Sequence, residues 1–415
     1  MNNVEFTKEM AKDYTILVPN MCSIHFELLK SVLGEKYKIE LLKNEDQSVI
    51  DEGLKNVHND TCYPALLVIG QMISALKSGK YDTHKVALII TQTGGGCRAS
   101  NYLYLLRKAL DNSGFEYVPI IPLNISNIKF DSGFKLSPSM INKLIYVLFF
   151  GDLLMDLNNQ TKAYEINRGE SNQLLNVWLI KLDKLYKEHH FISNKLYKQT
   201  LIEIVKSFND INLNKTNKVK VGIVGEIYVK YSSLGNNHLE DFLYHEDVEV
   251  KMPGLLGFGL YCVYNTIEDN ELYGVNKIKL MLYKFAYKYL TKKEETVREI
   301  IKEYSNFEVF SGFDDIINKA KEVISLGVKM GEGWLLCGEM LDLIDTGYPN
   351  IISAQPFGCL PNHIVAKGMI KKIREIRDNT NVVAIDYDPS ASRVNQENRI
   401  KLMLALAKEN IENHT

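Results

Sequence analysis

The sequence predicts an α/β protein of two domains, each built on a parallel sheet and each carrying helical additions. Three observations predict it. At 415 residues the chain is too long for one ordinary core. Short apolar, β-prone runs alternate with helical stretches in both halves, which is the pattern of βαβ units. A polar, Asn-rich joint, "NDINLNKTNK" at 209–218, lies between the halves, so the domains read as 1–215 and 216–415.

In the first half "YTILVPN" (14–20) reads as a strand, "HFELLKSVL" (25–33) as a helix and "KYKIELL" as a second strand. "PALLVIGQMISALKSG" (64–79) has helical spacing, with Gly79 as its stop signal. A strand follows in "VALIITQ", then a glycine turn, then a helix in "NYLYLLRKAL", then a strand in "EYVPIIPL". From about 137 to 208 the pattern is helical and more charged, a helical extension of the first domain. The second half opens with "KVKVGIVGEIYV" (218–229), whose strand "VGIVGE" ends at Glu226. "NNHLEDFLYHE" reads as a helix opened by Asn236, Asn237 and His238, and "VEVKMPG" as a strand. Residues 271–325 are largely helical and read as an insertion. "ISAQPFGCLPNH" (352–363) is a strand followed by a turn, "NVVAIDYD" (381–388) is the last strand, and 394–411 is a helix. The halves are alike in class but show no repeat in sequence.

The bulk composition narrows the function classes. The chain is 46% apolar and 24% charged with a net charge of −2, so it carries no basic footprint for nucleic acid. No apolar run reaches the roughly 18 residues needed to span a bilayer, so no membrane partner is expected. The N-terminal stretch "MNNVEFTKEMAKDY" lacks the basic-then-apolar order of a secretory signal. A cytoplasmic protein is expected, and its six cysteines then read as thiols or metal ligands rather than disulfides.

The cysteines carry the chemistry. Cys62 in "HNDTCYPALLVIG", Cys97 in "TGGGCRASNY" and Cys359 in "QPFGCLPNH" each sit in a turn rich in Gly, Pro, Asn or Asp, just before a predicted helix. In a parallel sheet such turns gather at the edge where ligands bind. A helix N-terminus offers free N–H groups and partial positive charge, which stabilise a thiolate and suit the negative charge of an iron–sulfur cluster. Gly94, Gly95 and Gly96 lack a Cβ, so their backbone can approach a bulky group closely. The same GGG has neither the Lys-Ser/Thr of a phosphate loop nor the spaced glycines of a dinucleotide fingerprint. Cys262 in "GLYCVYN" and Cys337 in "GWLLCGEM" lie in apolar runs and read as packing residues. Cys22 in "PNMCSIHF" also follows a strand, with His25 close by on the same edge, and either role is open to it.

"GLKNVHNDTCYPALLVIGQMISALKSGKYD", "ALIITQTGGGCRASNY", "VGIVGEIYVKYSSLGNNHLEDFL", "QPFGCLPNHIVAKGMIKKIR" and "NVVAIDYDPSASRVNQENRIKLML" together resemble the 2-hydroxyacyl-CoA dehydratase and benzoyl-CoA reductase family. The nearer likeness is to its branch of acyl-CoA dehydratase activase-related proteins. The resemblance covers most of 14–408, least distinctively at 140–215 and 270–325. It implies Rossmann-like domains with an iron–sulfur cluster between them, a 4Fe–4S cube or a larger double-cubane form. It implies Cys62, Cys97 and Cys359 as metal ligands, three thiolates that leave one iron of a cube open; Cys22 departs from the branch and is a candidate fourth ligand peculiar to this chain, which would close that iron. It implies electron transfer in an anaerobic setting and a separate ATP-hydrolysing activator protein, since no phosphate loops are found here. A homologous subunit or a second copy is a further implied partner. The activity implied is that of a low-potential reductase or dehydratase-like component. The dehydratases of the family reduce a thioester to a ketyl radical that expels a hydroxyl group. The rival reading is a non-catalytic electron carrier or cluster scaffold.

Other polar residues have two readings each. Glu226 ends a strand and His363 follows the third cysteine; both are candidate catalytic groups, His363 as a proton donor. Asn236, Asn237 and Asn362 serve equally as helix caps. Arg98 can hydrogen-bond a cluster sulfide or pair with a carboxylate. Asp386 and Asp388 read as turn formers. Glu332, between the glycines of "MGEGW", is oddly placed for a surface charge and has no assigned role.

Overall fold

The structure, a computed structural model, describes residues 4–58, 61–92, 96–124, 133–274, 276–378 and 380–412. Its frame is two parallel sheets of four strands. The first holds β1 (Thr15–Pro19), β2 (Lys38–Leu42), β3 (Val86–Gln92) and β4 (Ile120–Asn124) in the order β2-β1-β3-β4. The second holds β5 (Lys220–Gly225), β6 (Glu249–Lys251), β7 (Asn350–Pro356) and β8 (Asn381–Tyr387) in the order β6-β5-β7-β8. The second order repeats the first, a kinship the sequences do not display. Central strands covered by helices on both faces read as unbroken apolar runs, and β7 is buried along its whole length.

The first sheet is flanked by α1 (Met10–Asp13), α2 (Ser23–Leu33), α3 (Gln47–Asn56), α4 (Tyr63–Lys77) and α5 (Tyr102–Asn112). Helix α3 is not legible in the sequence. Its cap is Asp46, which accepts the Ser48 N–H at 2.9 Å. Gly53 of α3 and Gly70 of α4 let the two helices touch: a Cβ on Gly70 would stand 2.0 Å from the Val49 carbonyl oxygen. The extension comprises α6 (Pro138–Lys162), α7 (Glu170–Glu188) and α8 (Asn194–Asn209).

In the second half the strand ends at Gly225, one residue before Glu226, where the sequence places its end. Gly225 has φ +148°, and a Cβ there would lie 1.9 Å from the Ala354 carbonyl oxygen, so the chain turns sharply. Glu226 then caps α9 (Ile227–Tyr231) by accepting the Val229 N–H at 2.9 Å. The one-turn α10 (Ser233–Asn236) and α11 (Leu239–His245) follow. The helical insertion begins earlier than expected, with α12 (Leu255–Tyr273), and continues through α13 (Lys277–Tyr304) and α14 (Phe313–Val323). Helices α15 (Leu335–Asp345), α16 (Ile370–Ile376) and α17 (Arg393–Glu412) complete the fold.

Extension and insertion share one core: Phe149 and Tyr197 of the first pack in the same cluster as Leu256, Val297 and Phe313 of the second. Trp334 is fully buried there, its indole N–H donating to Asn265 Oδ1 at 2.9 Å. Among the described residues no helix is long and apolar enough to cross a membrane.

Candidate functional site

Each sheet has a switch point where the chain changes direction across it, between β1 and β3 and between β5 and β7. Ligands of open parallel sheets bind outside the carboxyl ends of the strands at such points. Cys22 follows β1 and Cys97 follows β3; Glu226 follows β5 and Cys359 follows β7. Topology therefore brings the sequence-selected residues to the two switch points, and Cys62 joins them at the N-terminus of α4.

The three turn cysteines are built alike. Burial raises the pKa of Cys62, which is 9% exposed, and the Tyr102 hydroxyl at 3.4 Å and the Ala65 N–H pull it back. Burial pushes Cys97 up to about 11, against the N–H of Ala99. Burial raises Cys359 further, against the N–H and side chain of Asn362, whose Nδ2 donates to Cys359 Sγ at 3.3 Å. The N–H groups of Ala65, Ala99 and Asn362 thus pull the three thiols down, but burial is the larger influence and opposes ionisation unless a cation replaces the proton. The turn after Cys359 is π-wound over Asn362–Ala366, a distortion frequent at functional sites.

Behind the cysteines lies a carboxyl pair. Glu332 accepts the Ile227 N–H at 3.0 Å and Asn362 Nδ2 at 3.2 Å, and so joins the α9 and Cys359 turns. Its flanking glycines are needed for backbone reasons, Gly331 at φ +60° and Gly333 at φ +44°. Burial, with Glu332 adding its charge, pushes Glu226 up to about 8, and burial raises Glu332 as well. Both carboxyls act electrostatically on Cys97 and Cys359, and Glu226 acts on Cys62, which ties the residues of both sheets into one site. The pair makes stability depend on pH. An acid whose pKa is raised by folding favours the folded state below its unfolded pKa and loses that contribution as pH rises through the folded one. For Glu226 the window runs from 4.5 to about 8. Glu226→Gln is expected to flatten the fall of melting temperature across this window, measured on metal-free protein.

Further in, Lys230 and Glu339 form a buried ion pair, with Nζ 3.3 Å from both carboxylate oxygens. Lys230 also steadies both Glu226 and Glu332. Lys230→Met strands a buried carboxylate and is expected to cost roughly 3–5 kcal/mol in urea unfolding, most of it recovered when Glu339→Leu is added.

The remaining sequence-selected residues divide. Gly96 packs closely, a Cβ there standing 2.2 Å from Met330 Sδ, so its near neighbour is the Glu332 loop. Gly94 and Gly95 lie outside the described residues. Arg98 is exposed, forms no ion pair among the described residues, and lowers the pKa of Cys62 through its charge. His363 is half-buried, with Nδ1 3.5 Å from Gln355 Nε2; the side chain that meets Cys359 Sγ is that of Asn362, which therefore is not a simple cap. Asn236 does cap α11, accepting the Leu239 N–H at 3.1 Å, whereas Asn237 binds Gln396 and His238 stands 3.5 Å from Glu45. Asp388 forms a turn with Ser390, but Asp386 lies within β8 and accepts from Gln355 at 2.5 Å. Cys337 is fully buried, with Sγ 3.1 Å from the Val365 carbonyl oxygen, and Cys262 is half-buried.

Cys22 is drawn elsewhere: its sulfur is 2.9 Å from His25 Nδ1. Gln92, Gln355 and Asn362 each keep a buried side-chain oxygen without a hydrogen-bond partner, on β3, on β7 and in the Cys359 turn. Among the described residues no three His, Cys, Asp or Glu side chains converge to hold a single metal ion. The thiolates of an iron–sulfur cube bind different irons and need no such point of convergence. No family model matches the chain, and no curated protein matches it.

Proposed function

We propose that the chain is an iron–sulfur protein, a low-potential reductase or 2-hydroxyacyl-CoA dehydratase-like component, with its cluster between the two sheets. The observation that carries this reading is that cysteine turns from both sheets, at Cys62, Cys97 and Cys359, share one electrostatic neighbourhood with the buried pair Glu226 and Glu332. The donor set fits the group: Cys62 and Cys359 are buried and Cys97 half-buried, each at a helix start, and among the described residues no cationic side chain is bonded to them. Cys22 is left out of the set because its sulfur is committed to His25. When bound, the cluster would supply single low-potential electrons.

The chain's own residues take the other tasks. The carboxyl pair holds a proton near neutral pH, available to a reduced acceptor. The unpartnered oxygens of Gln92, Gln355 and Asn362 accept hydrogen bonds from a substrate or its water. An electron carrier needs neither device, which favours catalysis over a carrier or scaffold. The electron donor in this reading is a separate activator that hydrolyses ATP, and a homologous subunit or second copy completes the assembly. A reducing compartment, the cytoplasm, suits six unpaired thiols. The deciding measurement is the metal and acid-labile sulfide content of protein purified without oxygen. Iron with matching sulfide supports the reading, and stoichiometric zinc without sulfide overturns it.

A further inference from the structure

Among the described residues one cysteine sulfur, outside the three turn cysteines, has a basic partner at hydrogen-bond distance. Cys22 Sγ lies 2.9 Å from His25 Nδ1, and His25 Nε2 lies 2.7 Å from Asp152 Oδ1. The three residues come from the turn after β1, from α2 and from α6, with 127 residues between His25 and Asp152. Gly151 makes room for the ring: a Cβ there would stand 2.4 Å from His25 Cδ2. Asp152 is fixed in turn by the N–H groups of Leu255 and Leu256 at 2.7 and 2.9 Å. This is the order of a nucleophile, a base and an orienting carboxylate.

We propose that Cys22, His25 and Asp152 form a second reactive centre, a thiolate site for small hydroperoxides, separate from the three turn cysteines. The proposal is independent of the iron–sulfur reading.

The Sγ–Nδ1 contact lets His25 take the sulfur's proton as the sulfur attacks, and Asp152 Oδ1 faces the imidazolium that results. Burial disfavours a charged ring, yet Cys22 and Asp152 together push His25 up to about 10. The contrast with Cys262 and Cys337 is chemical. Burial pushes these thiols up to about 11 and 12, with no base at hydrogen-bond distance. Size selects the reagent. Cys22 is 4% exposed and His25 2%, which closes the centre to acyl groups or peptides, so a reagent for it must be small and neutral. Asn20, in the same turn, keeps a buried side-chain oxygen with no partner, an acceptor for a peroxide hydroxyl.

The step balances without a further reactant. The thiolate sulfur attacks one oxygen of H–O–O–H, an S–O bond forms and the O–O bond breaks. The sulfur is oxidised by two electrons to a sulfenic acid, the peroxide is reduced, and the leaving hydroxide takes the His25 proton and departs as water.

The test treats full-length protein, as isolated without oxygen, with hydrogen peroxide in slight excess. A sulfenic-acid trap and peptide mass mapping then rank Cys22, Cys262 and Cys337 within one sample. Cys22 is expected to be trapped at least about tenfold faster than the other two. His25→Gln is expected to slow Cys22 by about tenfold or more. Equal trapping of the three cysteines in the unsubstituted protein would overturn the proposal. So would an unchanged Cys22 rate in folded His25→Gln. The ranking within one sample needs no variant, so a failure of His25→Gln to fold leaves the proposal open to refutation.

Discussion

Protein purified without oxygen is expected to be brown and to hold about four irons with matching sulfide, the content of one cube. Cys62→Ala, Cys97→Ala and Cys359→Ala are each expected to lose most of that iron. Cys262→Ala and Cys337→Ala should keep it and lose only roughly 0.5–3 kcal/mol of stability from weaker packing. The contrast rests on position. The first three sulfurs stand at helix starts on the carboxyl edges of the sheets, while Cys337 sits inside an apolar cluster with its sulfur against the Val365 carbonyl oxygen. Cys22→Ser belongs with the second group and should retain iron, because its sulfur is held by His25. Equal loss of iron in all six variants would report unfolding and not ligation.

Reduction of the cluster is expected to require both ATP and a separate activator protein. A thioester-like acceptor takes an electron only at very low potential, and this chain has no phosphate loop with which to drive its own reduction. The donor must come close to the cysteines. Phe357, Leu360 and Ile364 stand 61, 59 and 48% exposed around Cys359, an apolar collar beside a buried thiol. Such exposed apolar residues mark docking surfaces. Phe357→Asp should therefore slow activator-driven reduction by about tenfold or more, with unchanged reduction by a small chemical reductant. Full reduction at the same rate by a simple ferredoxin, without ATP or activator, would favour a carrier.

Much of this architecture is legible in the sequence because parallel strands declare themselves. β1, β3, β7 and β8 are apolar runs ended by Gly, Pro, Asn or Asp, and the turns that carry Cys97 and Cys359 follow directly. What the sequence hides is of two kinds. Local reversals are hidden where one backbone angle outweighs side-chain pattern: "KVGIVGEIYV" is β-prone throughout, and although the strand's end near Glu226 is legible, the helix that Glu226 starts after Gly225 is not. Long-range pairs are hidden altogether. Glu332 between two glycines is the one local sign of the carboxyl pair, and nothing near residue 332 points to Glu226. Likewise His25 gives no hint of Asp152, 127 residues on in the most apolar part of the helical extension.

The core shared by α6, α8, α12 and α13 has a mechanical consequence. Asp152 on α6 caps α12, and Gln160 on α6 exchanges two hydrogen bonds with the backbone of Glu308. A clamshell opening about the joint at 209–218 would tear this seam and expose Phe149, Tyr197 and Trp334 together. The halves are therefore riveted together along this seam, and opening them costs its hydrogen bonds and its shared apolar core at once.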